Sequence, residues 1–317
     1  MTERDKDKQW GIIYCPRGGV RHTQKRWRKI ERALKDNDVR YDFIQCENAA
    51  GVTRLVGMLI DNGYKTIVIA GGDTALNDAV NRLMEAEKDV RDSIAVGVIP
   101  CGLMNDYAHY WGISADDVGQ TVAMLRQRRT RKVDVGCVEY TPEGENTVRR
   151  RQYFVNCLNV GLAATIMNLR RQTRRALLGS RTLSLLASMV LMIFQRLDYK
   201  MNVRINATDI RHSNVMTMCI GKALGYGQTP SAVPYNGWLD VSMVLNTKLT
   251  QLMAGFYLFL HGRVLNHRSV RAFRTRRVDV AEARHAMVSI DGRLLEPHAG
   301  PFTVTVMQEE INFIIPA

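Results

Sequence analysis

The chain has 317 residues, 46% of them apolar, which is enough for two domains with cores of their own. Its formal net charge is +13, and the surplus lies in one half: residues 1–125 hold 17 basic and 18 acidic residues, whereas residues 126–317 hold 27 and 13. This imbalance argues against a neutral ligand as the main partner of the second half and favours a polyanion or an anionic membrane surface.

The cysteines, the N-terminus and the apolar runs argue against several classes of protein. The six cysteines are scattered, with no Cys-x-x-Cys pair, so a zinc site and a disulfide framework are both disfavoured and a reducing cytosol is expected. Residues 1–9 are charged and polar, unlike a signal peptide or a lipidation signal. The longest apolar run, 182–194, has 13 residues, fewer than the roughly 20 that span a bilayer.

The first 130 residues predict strands that alternate with helices. Short apolar runs indicate buried strands, and apolar residues at helical spacing indicate the helices between them. The predicted strands are 11–16, 39–45, 65–70 and 94–100, and the predicted helices are 23–35, 50–62, 78–84 and one that begins near 106. This order predicts a parallel sheet with helices on both faces, whose ligands bind at the carboxyl ends of the strands.

Three glycine-bearing turns, at 16–19, 71–73 and 101–106, follow predicted strands and should share one edge of that sheet. Where a strand breaks at a Gly-Gly pair and leads into a helix, backbone N–H groups at the positive end of the helix dipole suit a phosphate. Asp73 would repel a phosphate directly, so a metal ion or a metal-bound water is its natural partner. A tight turn or a helix cap would explain the same residues.

The second half predicts a β-rich domain with two helical insertions, at 170–194 and 249–264. The predicted strands are 133–140, 151–159, 200–205, 215–220, 239–244, 278–280, 287–290 and 302–306, with a hairpin turn at 141–146. Arginine clusters at 126–132, 149–151, 170–175 and 268–277 are each typical of a solvated face, but together they favour contact with an anionic membrane. They lack interleaved stacking aromatics, so nucleic acid is not expected as a partner.

Several stretches resemble one known family. Gly71-Gly72-Asp73-x-x-Leu76-Asn77 resembles the Gly-Gly-Asp-Gly-Thr-x-Asn motif of the diacylglycerol kinase catalytic domain, which bacterial lipid kinases and sphingosine kinases share. The loop at 99–106 resembles that family's Pro-x-Gly-Thr-x-Asn-Asp loop, and the segment 236–241 resembles its Asp-Asp-Gly-x-Leu-Asp-Val segment. Asp291-Gly292 resembles its Asp-Gly-Glu turn. The matches run in order over residues 11–317.

The resemblance implies a fold and an activity. The fold would be α/β followed by β: a Rossmann-like, nucleotide-binding parallel-sheet domain at 9–130, similar to NAD kinase and diacylglycerol kinase, to which a strand at 302–317 returns. A lipid-binding β-sandwich with helical insertions would occupy 131–301. The activity would be ATP- and Mg²⁺-dependent transfer of the γ-phosphate to a hydroxyl of a diacylglycerol-like or sphingoid lipid. The protein would be cytoplasmic and peripheral at the inner membrane surface, with a homodimer as one option for its oligomeric state.

The resemblance also implies roles for particular residues. Asp73 and Asp291 would be catalytic, Asp291 because the acid expected as proton acceptor is replaced by Arg293. The metal ligands would be Asp73 and, for a structural Mg²⁺, Asn236. The predicted nucleotide-binding residues are Gly71, Gly72, Thr74, Asn77, Gly102, Asn105 and Asp106.

Departures from the family motifs leave two alternatives open. They are Gln45, Thr74, Ala75, Leu103, Asn236 and Arg293. If position 74 required a positive φ, the β-branched Thr74 would cost about 1–2 kcal/mol there. The first alternative is a catalytically degenerate member that binds a nucleotide or an anionic lipid without turnover. The second is a soluble enzyme of the NAD kinase or phosphofructokinase kind, against which the downstream segments argue.

Overall fold

A computed structural model describes residues 9–15, 20–46, 49–102, 104–142, 149–166, 199–206, 208–245, 248–283, 286–295 and 299–317. The chain divides into two compact units, one formed by Met1–Val135 with Gln308–Ala317 and the other by Gly136–Met307. The predicted turn at 16–19, the predicted helix at 170–194, Leu103 and most of the predicted turn at 141–146 lie outside the described residues.

The first unit contains a parallel sheet. Its strands are β1 Trp10–Tyr14, β2 Tyr41–Gln45, β3 Thr66–Gly71 and β4 Ala95–Pro100, and the end of β15 Ala299–Ile314. They lie in the order β2-β1-β3-β4-β15, and every pair in this order is parallel. Every residue of β1, β3 and β4 is buried, which explains why these strands are continuous apolar runs in the sequence.

Helices cover both faces of this sheet. They are α1 Val20–Asp36, α2 Ala49–Asp61, α3 Asp73–Met84, α4 Lys88–Asp92, α5 Asp106–Tyr110 and α6 Val118–Gln127. The strand order reverses direction after β2, and right-handed crossovers place helices on opposite faces on the two sides of such a reversal. Accordingly α1 packs with α6, and α2 packs with α3. The predicted doubly covered parallel sheet is confirmed.

Buried polar contacts hold the last ten residues in this unit. The guanidinium of Arg91 contacts the Glu310 carboxylate, and its Nε donates to the Glu310 carbonyl at 3.2 Å. Asp134 Oδ1 accepts from the N–H of Glu309 at 3.1 Å, and Asn312 Nδ2 donates to the carbonyl of Asp92 at 2.7 Å. The C-terminal end of β15 is therefore fixed by side chains as well as by its pairing with β4.

The second unit is built mainly of antiparallel strands. Those named for the first time here are β5 Thr130–Pro142, β6 Arg150–Phe154, β7 Cys157–Gly161, β8 Tyr199–Ile205, β9 Thr208–Gly221, β10 Leu239–Leu245, β11 Val270–Thr275, β12 Arg277–Ala283, β13 Val288–Ile290 and β14 Arg293–Leu294. The first part of β9 pairs with β8, and its second part lies between β7 and β10. One apolar core takes residues from nearly all of these strands. The predicted β-rich domain is confirmed.

Three details of the second unit differ from the prediction. The predicted strand at 151–159 is two strands, β6 and β7, separated at 155–156. The arginine cluster at 268–277 forms β11 and the start of β12, with Val270 and Thr275 buried and the arginines between them exposed. The predicted helix at 249–264 ends earlier, as α7 Leu249–Leu260, before Gly262 at φ +67°. Among the described residues, no helix has both the length and the apolar character needed to cross a bilayer.

Candidate functional site

Two glycine turns touch each other through their backbones at one edge of the parallel sheet. Gly72 follows β3 and Gly102 follows β4, the neighbouring strand. A Cβ atom built on Gly102 would lie 2.5 Å from the Cα of Gly72, and one built on Gly72 would lie 2.9 Å from the Cα of Gly102. No side chain fits between these turns. We call Gly71, Gly72 and Gly102 the glycine rim.

The carboxylate of Asp73 connects the two turns. Asp73 begins α3, but its oxygens accept hydrogen bonds from the first amides of α5: Oδ2 from the N–H of Asp106 at 3.0 Å and Oδ1 from the N–H of Tyr107 at 3.1 Å. Asp73 therefore caps a helix that starts 33 residues later. It is half-buried beside the glycine rim.

Asn105 stabilises the second glycine turn, the one that follows β4, through hydrogen bonds of its side chain. Its Oδ1 accepts from the N–H of Gly102 at 2.7 Å, and its Nδ2 donates to the Gly102 carbonyl at 3.1 Å. Its backbone is left-handed, with φ 52° and ψ 42°, a conformation that asparagine tolerates better than most residues. Asp106 follows as the first residue of α5 and is half-buried. The structure thus brings Gly72 and Asp73 together with Gly102, Asn105 and Asp106.

The remaining predicted residues on α3 have ordinary helical positions. Thr74 is half-buried in the first turn of α3 and is not among the residues with positive φ, so the strain considered for it is absent. Asn77 is buried, with 5% of its surface exposed, and its side-chain oxygen accepts from Asn81 Nδ2 at 3.2 Å. Ala75 is also buried, next to Gly71.

Arg26 is a residue at this edge that the sequence analysis missed. It lies on α1, and its Nη1 donates to the carbonyl of Cys101 at 2.9 Å, directly before Gly102. Burial raises the pKa of the Cys101 thiol to about 11, with the charge of Arg26 acting in the opposite direction. The thiol is therefore protonated at neutral pH and is no nucleophile. Arg26 instead brings a permanent positive charge to the edge of the second turn.

Asp73 is the residue that would hold a magnesium ion shared with a polyphosphate. Within the described residues, no group of three or more His, Cys, Asp or Glu side chains converges to hold a metal ion. Mg²⁺ is usually bound by one or two carboxylates together with phosphate oxygens and waters, so a protein cage is not required. A carboxylate oxygen has more than one lone pair, so the hydrogen bonds that Asp73 accepts from Asp106 and Tyr107 are compatible with metal coordination.

In the second unit, the carboxylate of Asp291 is fully buried and accepts three backbone amides. Oδ2 accepts from the N–H of Val155 at 2.9 Å, and Oδ1 accepts from those of Asn156 at 3.1 Å and Cys157 at 2.8 Å. Asp291 and Gly292 form the turn between β13 and β14, both with positive φ. Asp291 therefore holds the break between β6 and β7.

Asn156 extends this polar network to the end of β9. Its carbonyl accepts from the N–H groups of Lys222 at 2.8 Å and Ala223 at 3.1 Å, and its Oδ1 accepts from the N–H of Gly225 at 2.9 Å. Gly225 begins a Gly-Tyr-Gly segment, 225–227, which is a short 3-10 helix. Asp291 and the segment that begins at Lys222 are thus connected through one asparagine.

Asn236, the predicted ligand of a structural magnesium, is next to a lysine. Its Oδ1 accepts from the N–H of Trp238 at 3.0 Å and lies 3.4 Å from Nζ of Lys222. The Lys222 side chain is fully buried, and its Nζ also contacts the carbonyls of Trp238 at 2.8 Å and Val233 at 3.3 Å. A basic residue directly after a buried strand was the only signal of this arrangement in the sequence.

Comparison with known proteins identifies the family. Residues 9–138 match the diacylglycerol kinase catalytic domain, and residues 157–315 match the YegS C-terminal NAD kinase beta sandwich-like domain. The chain belongs to the diacylglycerol kinase family. The resemblance drawn from the glycine motifs is confirmed, as is the family's pairing of a parallel-sheet domain with a sandwich-like domain.

Individual family members are distant in sequence. The chain is 25% identical over 160 residues to the Bacillus subtilis protein named "Putative lipid kinase YtlR", a match that covers 50% of this chain and 49% of that protein. It is 30% identical over 136 residues to a diacylglycerol kinase of Staphylococcus aureus strain RF122, covering 41% and 39%. The chain thus matches half or less of the length of these curated relatives.

A solved structure shows the same fold over nearly the whole chain. It is described as "a putative diacylglycerol kinase from Bacillus anthracis str. Sterne", and it superposes with a TM-score of 0.73 over 98% of this chain and 97% of the other. The identity is 16%, so this likeness concerns the fold.

Proposed function

We propose that the protein is an ATP-dependent lipid kinase that transfers the γ-phosphate to a hydroxyl of a diacylglycerol-like or sphingoid lipid. The observation that carries the proposal is the backbone contact of Gly72 with Gly102 at the carboxyl ends of adjacent parallel strands. Such an edge is where this class of sheet binds its ligands, and glycines let the backbone approach a polyphosphate closely. Family membership supplies the reaction class.

The residues at the glycine rim have distinct tasks in this proposal. The amino end of α3 directs its helix dipole toward the phosphates, and Arg26 adds a fixed positive charge near Gly102. Asp73 would hold Mg²⁺ directly or through water, and the ion would neutralise charge on the transferring phosphoryl group. Asn105 keeps the second turn in its shape through its two hydrogen bonds to Gly102.

Asp291 stays the predicted proton acceptor. Its carboxylate also has a structural task, because it accepts three backbone amides while it is fully buried. A neutral replacement would therefore lower both stability and turnover, and the two losses can be measured separately.

The acceptor lipid and the membrane belong to the second part of the proposal. Residues 126–317 carry 27 basic and 13 acidic residues, and each basic residue near an anionic leaflet contributes about 1 kcal/mol to attraction. We therefore place the working enzyme at an anionic membrane surface, where a lipid hydroxyl is available.

The proposal is tested by incubating the purified full chain with labelled ATP, Mg²⁺ and mixed-lipid vesicles. Separate vesicle preparations carry diacylglycerol, sphingosine or ceramide, and one sample without vesicles carries NAD as a soluble acceptor. We expect a labelled lipid product with at least one vesicle preparation and no labelled NADP. Labelled NADP without any lipid product would contradict the proposal, and so would the absence of any product.

A matched pair of substitutions tests whether turnover depends on the carboxylate at the glycine rim. Asp73→Asn and Asp117→Asn each remove one charge at a residue that caps a helix. Asparagine is a good capping residue, but at position 73 it offers one acceptor oxygen to two amides of α5, whereas Asp117 accepts one amide. Circular dichroism therefore checks that each variant is folded before turnover is compared, and only position 73 lies at the glycine rim. We expect Asp73→Asn to lose at least about 100-fold in turnover, close to 3 kcal/mol, and Asp117→Asn to retain it. Equal activity of the two variants would contradict the assignment.

A further inference from the structure

We infer that Lys222 is a built-in cation of the second unit: its ammonium occupies the position that the family resemblance gives to a structural Mg²⁺ at Asn236, so this unit takes no divalent cation there. The inference concerns folding and does not depend on the proposed kinase activity.

The surroundings of the ammonium match what a lysine needs. Lys222 is fully buried, and its Nζ faces three oxygens: the Trp238 carbonyl at 2.8 Å, the Val233 carbonyl at 3.3 Å and Asn236 Oδ1 at 3.4 Å. An ammonium has three N–H donors and no acceptor, so three oxygens can satisfy it. Backbone carbonyls and an amide oxygen are also ligands of hard cations. These three oxygens therefore surround the Lys222 ammonium, a positive charge that is covalently part of the chain.

The same set does not fit a divalent ion. Asn236 supplies an amide oxygen without charge, where the family has a carboxylate, and that oxygen already accepts from the N–H of Trp238 at 3.0 Å. A second cation beside the buried Lys222 ammonium would be repelled by its positive charge. The carboxylate of Asp240, two residues after Trp238, is engaged by Arg274 Nη2 at 2.9 Å.

Asp240 supplies a negative charge close enough to interact with both Arg274 and Lys222. Burial raises the pKa of its carboxyl, and the positive charges of Arg274 and Lys222 act in the opposite direction. A nearby carboxylate and neutral carbonyls together make a fixed ammonium tolerable in a buried position.

Lys222 joins two segments of the second unit. Its backbone N–H donates to the Asn156 carbonyl at 2.8 Å, next to the amides that Asp291 holds. Its side chain reaches the 233–238 loop. The ammonium therefore connects that loop to the break between β6 and β7 with no exchangeable ligand.

Thermal unfolding of the full chain without nucleotide tests the inference. We expect the wild-type midpoint to be the same in excess EDTA and in millimolar MgCl₂. Lys222→Met keeps the aliphatic stem but removes the ammonium, and its midpoint should fall by several degrees in both buffers. Lys200→Met, at an exposed lysine on β8, is the matched control and should unfold like the wild type.

A double variant tests whether the Lys222 ammonium takes the place of a metal ion. Lys222→Met combined with Asn236→Asp restores a carboxylate and removes the competing charge, so Mg²⁺ should raise its midpoint relative to EDTA. A wild-type midpoint that falls in EDTA, with the fall abolished by Asn236→Ala, would overturn the inference. If the variants fold poorly, a wild-type midpoint that is lower in EDTA than in MgCl₂ overturns the inference, and equal midpoints support it.

Discussion

The guanidinium of Arg26 lies against the carbonyl of Cys101, next to the glycine whose backbone touches the first turn. In the proposed complex this charge is close to the polyphosphate. Charge-assisted hydrogen bonds of arginine to phosphate are about twice as strong as neutral ones. Arg26 therefore has a testable role in nucleotide affinity, although it lies outside every glycine motif.

Replacing Arg26 with alanine should weaken ATP binding more than it affects the chemical step. A charged hydrogen bond contributes about 1.5–3 kcal/mol, so the KM for ATP should rise by roughly 10-fold or more. Arg28→Ala, at an exposed arginine on the same helix, removes the same charge and should leave KM nearly unchanged. Steady-state kinetics at varied ATP measures both variants. Equal KM values for the two would contradict the role of Arg26.

Individual residues differ in how far sequence alone could assign them. Gly72 and Gly102 were predictable because a backbone-to-backbone contact admits no other residue and leaves a short motif. Arg26 was not, because α1 contains seven basic residues and nothing local distinguishes one that reaches Cys101. The capping of α5 by Asp73 was also hidden, since the amides it holds come 33 residues later.

At the scale of elements, the break between β6 and β7 shows how a distant residue overrides a local pattern. Residues 151–159 have the composition of one continuous strand, and the apolar Val155 lies where the strand ends. The Asp291 carboxylate takes the amides of residues 155–157, so those groups are directed to a side chain from 134 to 136 residues away. The sequence between 151 and 159 contains no sign of this.

Asp291→Asn tests that structural task. An asparagine keeps the size but offers one acceptor oxygen, and its NH₂ group would face a buried N–H. Each hydrogen bond to a charged group contributes about 1.5–3 kcal/mol, so we expect a loss of at least about 3 kcal/mol in the free energy of unfolding. Urea unfolding measures it.

Asp279→Asn is the control, because its carboxylate pairs with the exposed Arg277 on β12 and should contribute less than about 1 kcal/mol. Equal losses in the two variants would contradict the structural role of Asp291. If Asp291 is also the proton acceptor, turnover of Asp291→Asn should remain low under conditions where the variant is fully folded.

At the scale of the whole molecule, the two units were not equally predictable. In the first unit, β1, β3 and β4 are fully buried, so each is an uninterrupted apolar run, and glycines mark the ends of β3 and β4. In the second unit, β11 is buried only at its two ends, Val270 and Thr275, and its exposed arginines give it the pattern of a solvated cluster. β9 changes partners along its length, which no local pattern indicates.

The charge distribution is also a property of the whole chain. The net charge of +13 comes from residues 126–317, while residues 1–125 are nearly neutral. An anionic membrane would therefore attract the part of the chain to which the proposal assigns the lipid more strongly than the nearly neutral part that contains the glycine rim. This division of tasks needs the nucleotide to bind where the two glycine turns meet.

Isothermal titration calorimetry of the full chain with Mg²⁺-ATP tests that requirement most directly. Gly102→Ala places a Cβ 2.5 Å from the Cα of Gly72 and must push the turns apart, whereas Gly119→Ala on α6 meets one atom, at an ordinary 3.5 Å. We predict saturable binding for the wild type and Gly119→Ala, and at least about 10-fold weaker binding, or 1.4 kcal/mol, for Gly102→Ala. Unchanged affinity in Gly102→Ala, or no ATP binding by the wild type, would contradict the account.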